Sequence, residues 1–316
     1  MDKLWIEGIV PAVFTPMHAD GSLNLGRIPA IVEFLIQEEA SALYVCGSTG
    51  EGPSLTDDER RSVAEAYVQA AAGRLPVVVQ VGHNSLKQAR ELAAHAQQIG
   101  AAAISAVPPS YFKIYSLDQL INCLEEIAGG APGLPFYYYH IPRLTDAEID
   151  LVEFLRIGST RLPTLNGVKY SNFKIFELQA CTALEDGRFN MLFGSDEMLL
   201  SGLVGGAQGA VGSTYNFAAS LYQEIFSAHR RGDVVEAQRL QGLSVEMIQP
   251  LNRFGSPASN LPSFKAMMTI INLDCGPIRL PHISLTAEQT DNLKKAMEAI
   301  GFFEWGCDYD IPIQSE

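Results

Sequence analysis

No stretch of this chain reaches the ~18 uncharged apolar residues that a membrane span needs. Its opening segment, Met1-Asp2-Lys3-Leu4-Trp5-Ile6-Glu7, has no basic flank followed by an apolar run, so a soluble, unexported, cytoplasmic protein is expected. Cations are scarce. Against 36 Asp and Glu stand 22 Lys and Arg, a formal charge of -14, which argues against nucleic acid or an anionic membrane surface as partner. An anionic small substrate remains compatible if one local site overrides the global field. The five cysteines (Cys46, Cys123, Cys181, Cys275, Cys307) are odd in number, scattered and without C-x-x-C spacing, which speaks against a disulfide framework or zinc site and for reduced thiols. No G-x-G-x-x-G follows the first apolar run and no Gly-Lys-Ser/Thr closes a glycine-rich loop, so the nucleotide signatures are absent too.

What is present is a rhythm. Hydrophobic residues make up 47% and charged residues 18% of 316 positions, enough to bury a large core. Eight short β-rich runs alternate with longer amphipathic stretches: Ile9 to Thr15, Ala42 to Gly47, Val77 to Gly82, Ala102 to Val107, Pro135 to Ile141, Gly167 to Ser171, Met191 to Gly194 and Gly209 to Ser213. Between them, Thr56 to Glu59 reads as a capping box, and Ser85 to Ile99 lines up Leu86, Ala89, Leu92, Ala93 and Ala96 on one face. Continuous apolar runs suit parallel strands covered on both sides. Eight such units in about 250 residues predict an α/β fold, a (β/α)8 TIM barrel, over 1–229. An open doubly wound sheet shares the rhythm but fits eight regular units less well. Beyond 229 three helical patterns remain, Asp233 to Arg253, Ser263 to Leu273 and Thr286 to Ile300, punctuated by Pro262 and Pro281 and capped by Gly301. The span 230–316 thus reads as a C-terminal helical extension of about three helices.

In such a barrel the site forms where the strands end. Strand one ends in Thr15, strand two in Gly47-Ser48-Thr49-Gly50-Glu51, strand five in Tyr139-His140, strand six in Lys169-Tyr170-Ser171, strand seven in Gly194-Ser195-Asp196-Glu197 and strand eight in Gly212-Ser213-Thr214-Tyr215. Lys169 admits two readings. It is an edge-strand lysine with its head in water, or a buried amine that sheds its proton and becomes a nucleophile toward carbonyls. The turn around Ser48 and Thr49 offers hydroxyls and free N–H groups to a carboxylate; taken alone it is also an ordinary glycine-rich βα turn. Of Tyr137, Tyr138 and Tyr139, the first and last face one way and the middle one the other. His140 lacks a second ligand at metal spacing and reads as a packed or hydrogen-bonded histidine.

Taken together, Gly47-Ser48-Thr49-Gly50-Glu51, Tyr139-His140-Ile141-Pro142, Gly167-Val168-Lys169 and Gly209 to Asn216 resemble the N-acetylneuraminate lyase and dihydrodipicolinate synthase superfamily of Schiff-base aldolases. Two features resemble its lyase branch. Leu144 stands where the synthase branch carries an arginine for a dicarboxylate, with Arg143 one position early, and Gly194-Ser195-Asp196-Glu197 matches the Gly-x-Asp-Glu that binds a polyhydroxylated tail.

The resemblance implies reversible cleavage of N-acetylneuraminate to N-acetylmannosamine and pyruvate. Lys169 would form the imine, Tyr139 would relay protons, and Tyr111 would complete the relay from a neighbouring subunit. Ser48 and Thr49 would hold the carboxylate, while Ser171, Gly194, Asp196, Glu197, Gly212 and Ser213 would meet the hydroxyls. It also implies a homotetramer that needs no cofactor beyond the covalent imine. Two alternatives stand beside it. One is the same pyruvate chemistry, as aldolase or dehydratase, on another 2-keto-3-deoxy sugar acid. The other is a silent barrel acting as a binding protein, which predicts loss of Lys169 or Tyr139, and both are present.

Overall fold

A computed structural model describes residues 4–255 and 259–307. Residues 308–316 of the expected extension and Met1-Asp2-Lys3 of the opening segment lie outside the described residues.

Eight strands form one parallel sheet: β1 (Gly8–Pro11), β2 (Leu43–Val45), β3 (Val77–Gln80), β4 (Ala103–Ala106), β5 (Phe136–His140), β6 (Leu165–Tyr170), β7 (Asn190–Phe193) and β8 (Gly209–Gly212). Each pairs with its sequence neighbour, β8 returns to β1, and a parallel bridge from Ala12 to Tyr44 joins β1 to β2. That bridge decides between the two architectures: the sheet is a TIM barrel with helices between its strands. The ladders are shorter than the apolar runs. The first run keeps its bonds to the neighbouring strands as far as Val13, whose N–H donates to Tyr44 O at 3.0 Å, and by Thr15 the hydroxyl donates to Gly50 O at 2.6 Å instead. The residues past each ladder are thereby freed to build the rim.

Alternation along the strands divides the apolar residues between two regions. Val10, Ala12, Ala42, Tyr44, Val78, Ala103, Tyr137, Tyr139, Leu192 and Val211 fill the barrel, while Ile9, Leu43, Val45, Ile104, Tyr138 and Val168 face the helices. The tyrosine triplet therefore splits as its spacing predicts. At the N-terminal end Asn166 Nδ2 donates to the Tyr137 hydroxyl (2.8 Å) and to Leu4 O (2.6 Å), and Asn190 Nδ2 donates to Ile6 O (3.0 Å), closing the floor.

Most of the helices begin at or next to the residues the patterns start on. Thr56 and Glu59 form the capping box of Asp57–Ala71. Ser85 caps Leu86–Gln98, which buries Ala89, Leu92, Ala93 and Ala96. After residue 230 come Val234–Phe254, capped by Asp233, then Leu261–Ile270 and Ala287–Ala299, the last opened by a Thr286–Gln289 capping box and followed by Gly301 at φ 71°. The middle helix starts earlier than the proline suggested, because Pro262 lies in its first turn, where a missing N–H costs no bond. Among the described residues no helix is long and apolar enough to cross a membrane, and all five cysteines are free.

Candidate active site

Lys169 faces the barrel interior near the end of β6 and is 4% exposed. Its Nζ lies 3.9 Å from the centroid of the Tyr44 ring and 4.2 Å from that of Tyr139, and the two rings meet edge to face at 6.0 Å. Of the two readings of this lysine, the buried one holds. Desolvation pushes its pKa below the ordinary lysine value, and the nearby Tyr139 and Asp196 only oppose that shift. Burial thus favours the neutral amine more than solvent would. Tyr44 is held in place by donating its hydroxyl to Ser105 Oγ at 3.0 Å, and burial drives its own pKa well above the usual phenol.

Around this amine the strand ends converge. Thr49 Oγ1 and Ser213 Oγ are 2.6 Å apart, so the turn after β2 touches the end of β8. Asn216 steadies that contact by donating Nδ2 to both Ser213 O and Ala12 O at 2.8 Å. After β7, Ser171 Oγ donates to Gly194 O at 3.4 Å, and a Cβ at Gly194 would collide with that hydroxyl. Asp196 is buried and accepts from Thr214 N at 2.9 Å and Thr214 Oγ1 at 2.7 Å. A Cβ on Gly212 would strike the Asp196 carboxylate; glycine there is what leaves the carboxylate room. Ser48 is half-buried and Glu197 exposed.

Burial pushes the Asp196 carboxyl up to about 6, with the two Thr214 donors pulling the other way. The folded state therefore holds a proton that the unfolded chain releases near pH 4. The sign follows from linkage. Stability falls as pH rises from about 4 through about 6, by on the order of 3 kcal/mol from this group. Asp196→Asn is expected to remove that slope, so denaturant midpoints of variant and wild type diverge in the variant's favour over this interval. Parallel curves would contradict the assignment.

Tyr111 is not brought to Lys169 within the chain. It is 77% exposed, touches Phe112 with ring centroids 5.1 Å apart, and is fixed only through its backbone N–H to Asn84 Oδ1 at 3.0 Å. His140 is buried on the outer side of β5, stacked on Tyr170 at 5.5 Å and close to the Tyr138 hydroxyl, and burial lowers its pKa to about 3. It is a packed, hydrogen-bonded histidine, the expected reading for one without a second ligand at metal spacing. Leu144 and Arg143 sit on the helical turn Pro142–Thr145, both exposed. No group of three or more His, Cys, Asp or Glu among the described residues could hold a metal ion.

With this geometry in place, comparison with known proteins is decisive for family. The model of the dihydrodipicolinate synthetase family matches residues 5–300. The chain belongs to that family. Among curated members, N-acetylneuraminate lyase A of Xenopus laevis is 39% identical over 92% of this chain and 96% of its own length. The N-acetylneuraminate lyase of Homo sapiens is 38% identical over 96% and 95%. The solved N-acetylneuraminate lyase of Proteus mirabilis superposes with a TM-score of 0.90 at 34% identity, covering 95% of this chain and all of that one.

Two residues of this dihydrodipicolinate synthetase family member escaped the sequence reading. Tyr44 was placed on a strand but not at the amine, although its spacing from Ala42 points it inward. Lys265, in a helix of the extension, is buried and bonded to Glu51 at 2.7 Å. No local signal marks it, because its partner lies 214 positions away.

Proposed function

We propose that this chain is a class I aldolase that reversibly cleaves N-acetylneuraminate to N-acetylmannosamine and pyruvate through an imine on Lys169. The observation that carries the reading is a buried lysine amine between two tyrosine rings at the strand ends, hydrogen-bonded to Tyr139 and with its pKa lowered by burial. The lyase names of its relatives support it.

The neutral Lys169 amine attacks the C2 ketone, and loss of water gives the imine. Cleavage of C3–C4 leaves an electron pair at C3, which the protonated imine takes up as a neutral enamine. As that bond breaks, the Tyr139 oxygen accepts the C4 hydroxyl proton and the sugar leaves as its aldehyde. Protonation at C3 and hydrolysis of the imine return pyruvate and the free amine. The imine supplies the electron sink, so the reaction calls for no metal or organic cofactor.

Ser48 and Thr49 are assigned to the substrate carboxylate. Ser171, Gly194, Asp196, Glu197, Gly212 and Ser213 are assigned to the hydroxylated tail, where carboxylates and carbonyls accept from vicinal hydroxyls. Tyr111 is assigned to a relay in trans, since its exposure leaves it free to enter a neighbouring subunit within a homotetramer. A cytoplasmic location and the division into a barrel, 1–229, and an extension, 230–316, belong to the same proposal.

The test is substrate choice. Pyruvate release coupled to lactate dehydrogenase should follow addition of N-acetylneuraminate, with N-acetylmannosamine appearing in equal amount. Release only from shorter 2-keto-3-deoxy sugar acids would transfer the chemistry to another substrate, and release from none would refute it.

A further inference from the structure

Lys265, in the extension, is the second buried lysine among the described residues, and it differs from Lys169 in every contact. Its Nζ donates to Glu51 Oε1 at 2.7 Å, to Pro277 O at 2.7 Å and to Thr15 O at 3.1 Å, so each of its protons has an acceptor. Glu51 is equally buried, and its Oε2 accepts from the backbone N–H of Arg279 at 2.8 Å. The Arg279 guanidinium in turn reaches Glu59 Oε2 at 2.7 Å, Ser54 O at 3.1 Å and Gly21 O at 2.8 Å. The extension thus grips the first two βα turns through a pair of buried charges.

What the grip holds is specific. Glu51 follows Ser48, Thr49 and Gly50, and its backbone N–H donates to Ser48 O at 3.1 Å. Glu51 itself sits at φ 56°, a left-handed conformation that a side chain other than glycine adopts only when its surroundings impose it. Thr15 binds the same turn from the other side, its hydroxyl donating to Gly50 O while its carbonyl accepts from Lys265. A buried ion pair adds little net stability over apolar side chains of equal volume; its contribution here is geometric.

We propose that the Lys265–Glu51 pair is a positioning device for the Ser48-Thr49 turn, setting from the C-terminal extension the site's selectivity for the carboxylate of a 2-keto acid. The inference rests on the function proposed above. Neither residue touches the reacting atoms. Both act through the turn, and a turn displaced by about an ångström takes its donors out of hydrogen-bond range of a bound carboxylate.

The experiment compares borohydride trapping by pyruvate with trapping by methyl pyruvate, whose carboxylate is masked, in wild type, Lys265→Met, Glu51→Gln and the double variant. Wild type should trap pyruvate at far lower half-maximal concentration than the ester. In Lys265→Met the pyruvate value should rise by about tenfold or more, with the ester value and the maximal adduct yield unchanged, because uniform binding to the carboxylate is what is lost. The double variant, with no lone buried charge, covers the case in which the single one does not fold. Equal loss for both probes, an unchanged pyruvate value, or failure of all three variants to fold would overturn the inference, the pair then being cement and not a positioner. No adduct in wild type would instead overturn the proposed function, and the inference with it.

Discussion

Replacing Lys169 with methionine should lower kcat/KM for sugar-acid cleavage by about 10⁴-fold or more while leaving the protein as stable as before, or more so. The first half follows from the chemistry, since a residue that forms the covalent intermediate acts as a unit with its partners and its removal costs nearly all of the catalysis. The second half follows from the site. Lys169 is buried against the Tyr44 and Tyr139 rings, and desolvation of its amine is what lowers its pKa. A thioether of similar length keeps the ring contacts without desolvating an amine. Activity therefore falls as the melting temperature holds or rises, the trade expected where a functional group sits against its own solvation. A variant that retains a hundredth of the wild-type rate, or one that unfolds, would contradict the role given to this amine.

Tyr139→Phe should separate two steps that Lys169→Met removes together. The ring stays, with its edge on Tyr44 and its face near Lys169; only the hydroxyl goes. Proton transfer by a positioned side chain contributes about 10²–10⁴-fold, so kcat for cleavage should drop by that factor. Imine formation with pyruvate does not need the C4 proton to move, so adduct yield should remain near that of wild type. The check is single-turnover cleavage alongside borohydride trapping on the same preparation. Loss of both would mean that Tyr139 governs the lysine and not the departing hydroxyl; loss of neither would move the relay elsewhere.

Much of this was legible in the sequence, for identifiable reasons. Strand runs and caps are local: Thr56, Ser85, Asp233 and Thr286 each cap the helix that follows them, and the period of two placed Tyr137 and Tyr139 together inside the barrel. The rim residues were legible because a closed barrel brings the ends of separate strands to one place, so Thr49 and Ser213, 164 positions apart, meet. What stayed hidden is pairing that no local period encodes. Tyr44 approaches the amine from across the barrel, and Lys265 looks like any helical lysine until Glu51 is seen beside it. The lengths of the strands were overread for the opposite reason: the apolar runs continue past the ladder into the rim, where Thr15 binds a loop carbonyl and no strand.

The most direct test of the central claim is borohydride reduction of the protein with pyruvate, followed by intact and peptide mass. A single pyruvate-derived adduct confined to the peptide bearing Lys169, and absent from Lys169→Met, is the expected result. No adduct, or adducts scattered over exposed lysines such as Lys174 and Lys294, would contradict imine chemistry at this site and return Lys169 to a purely structural place in the barrel.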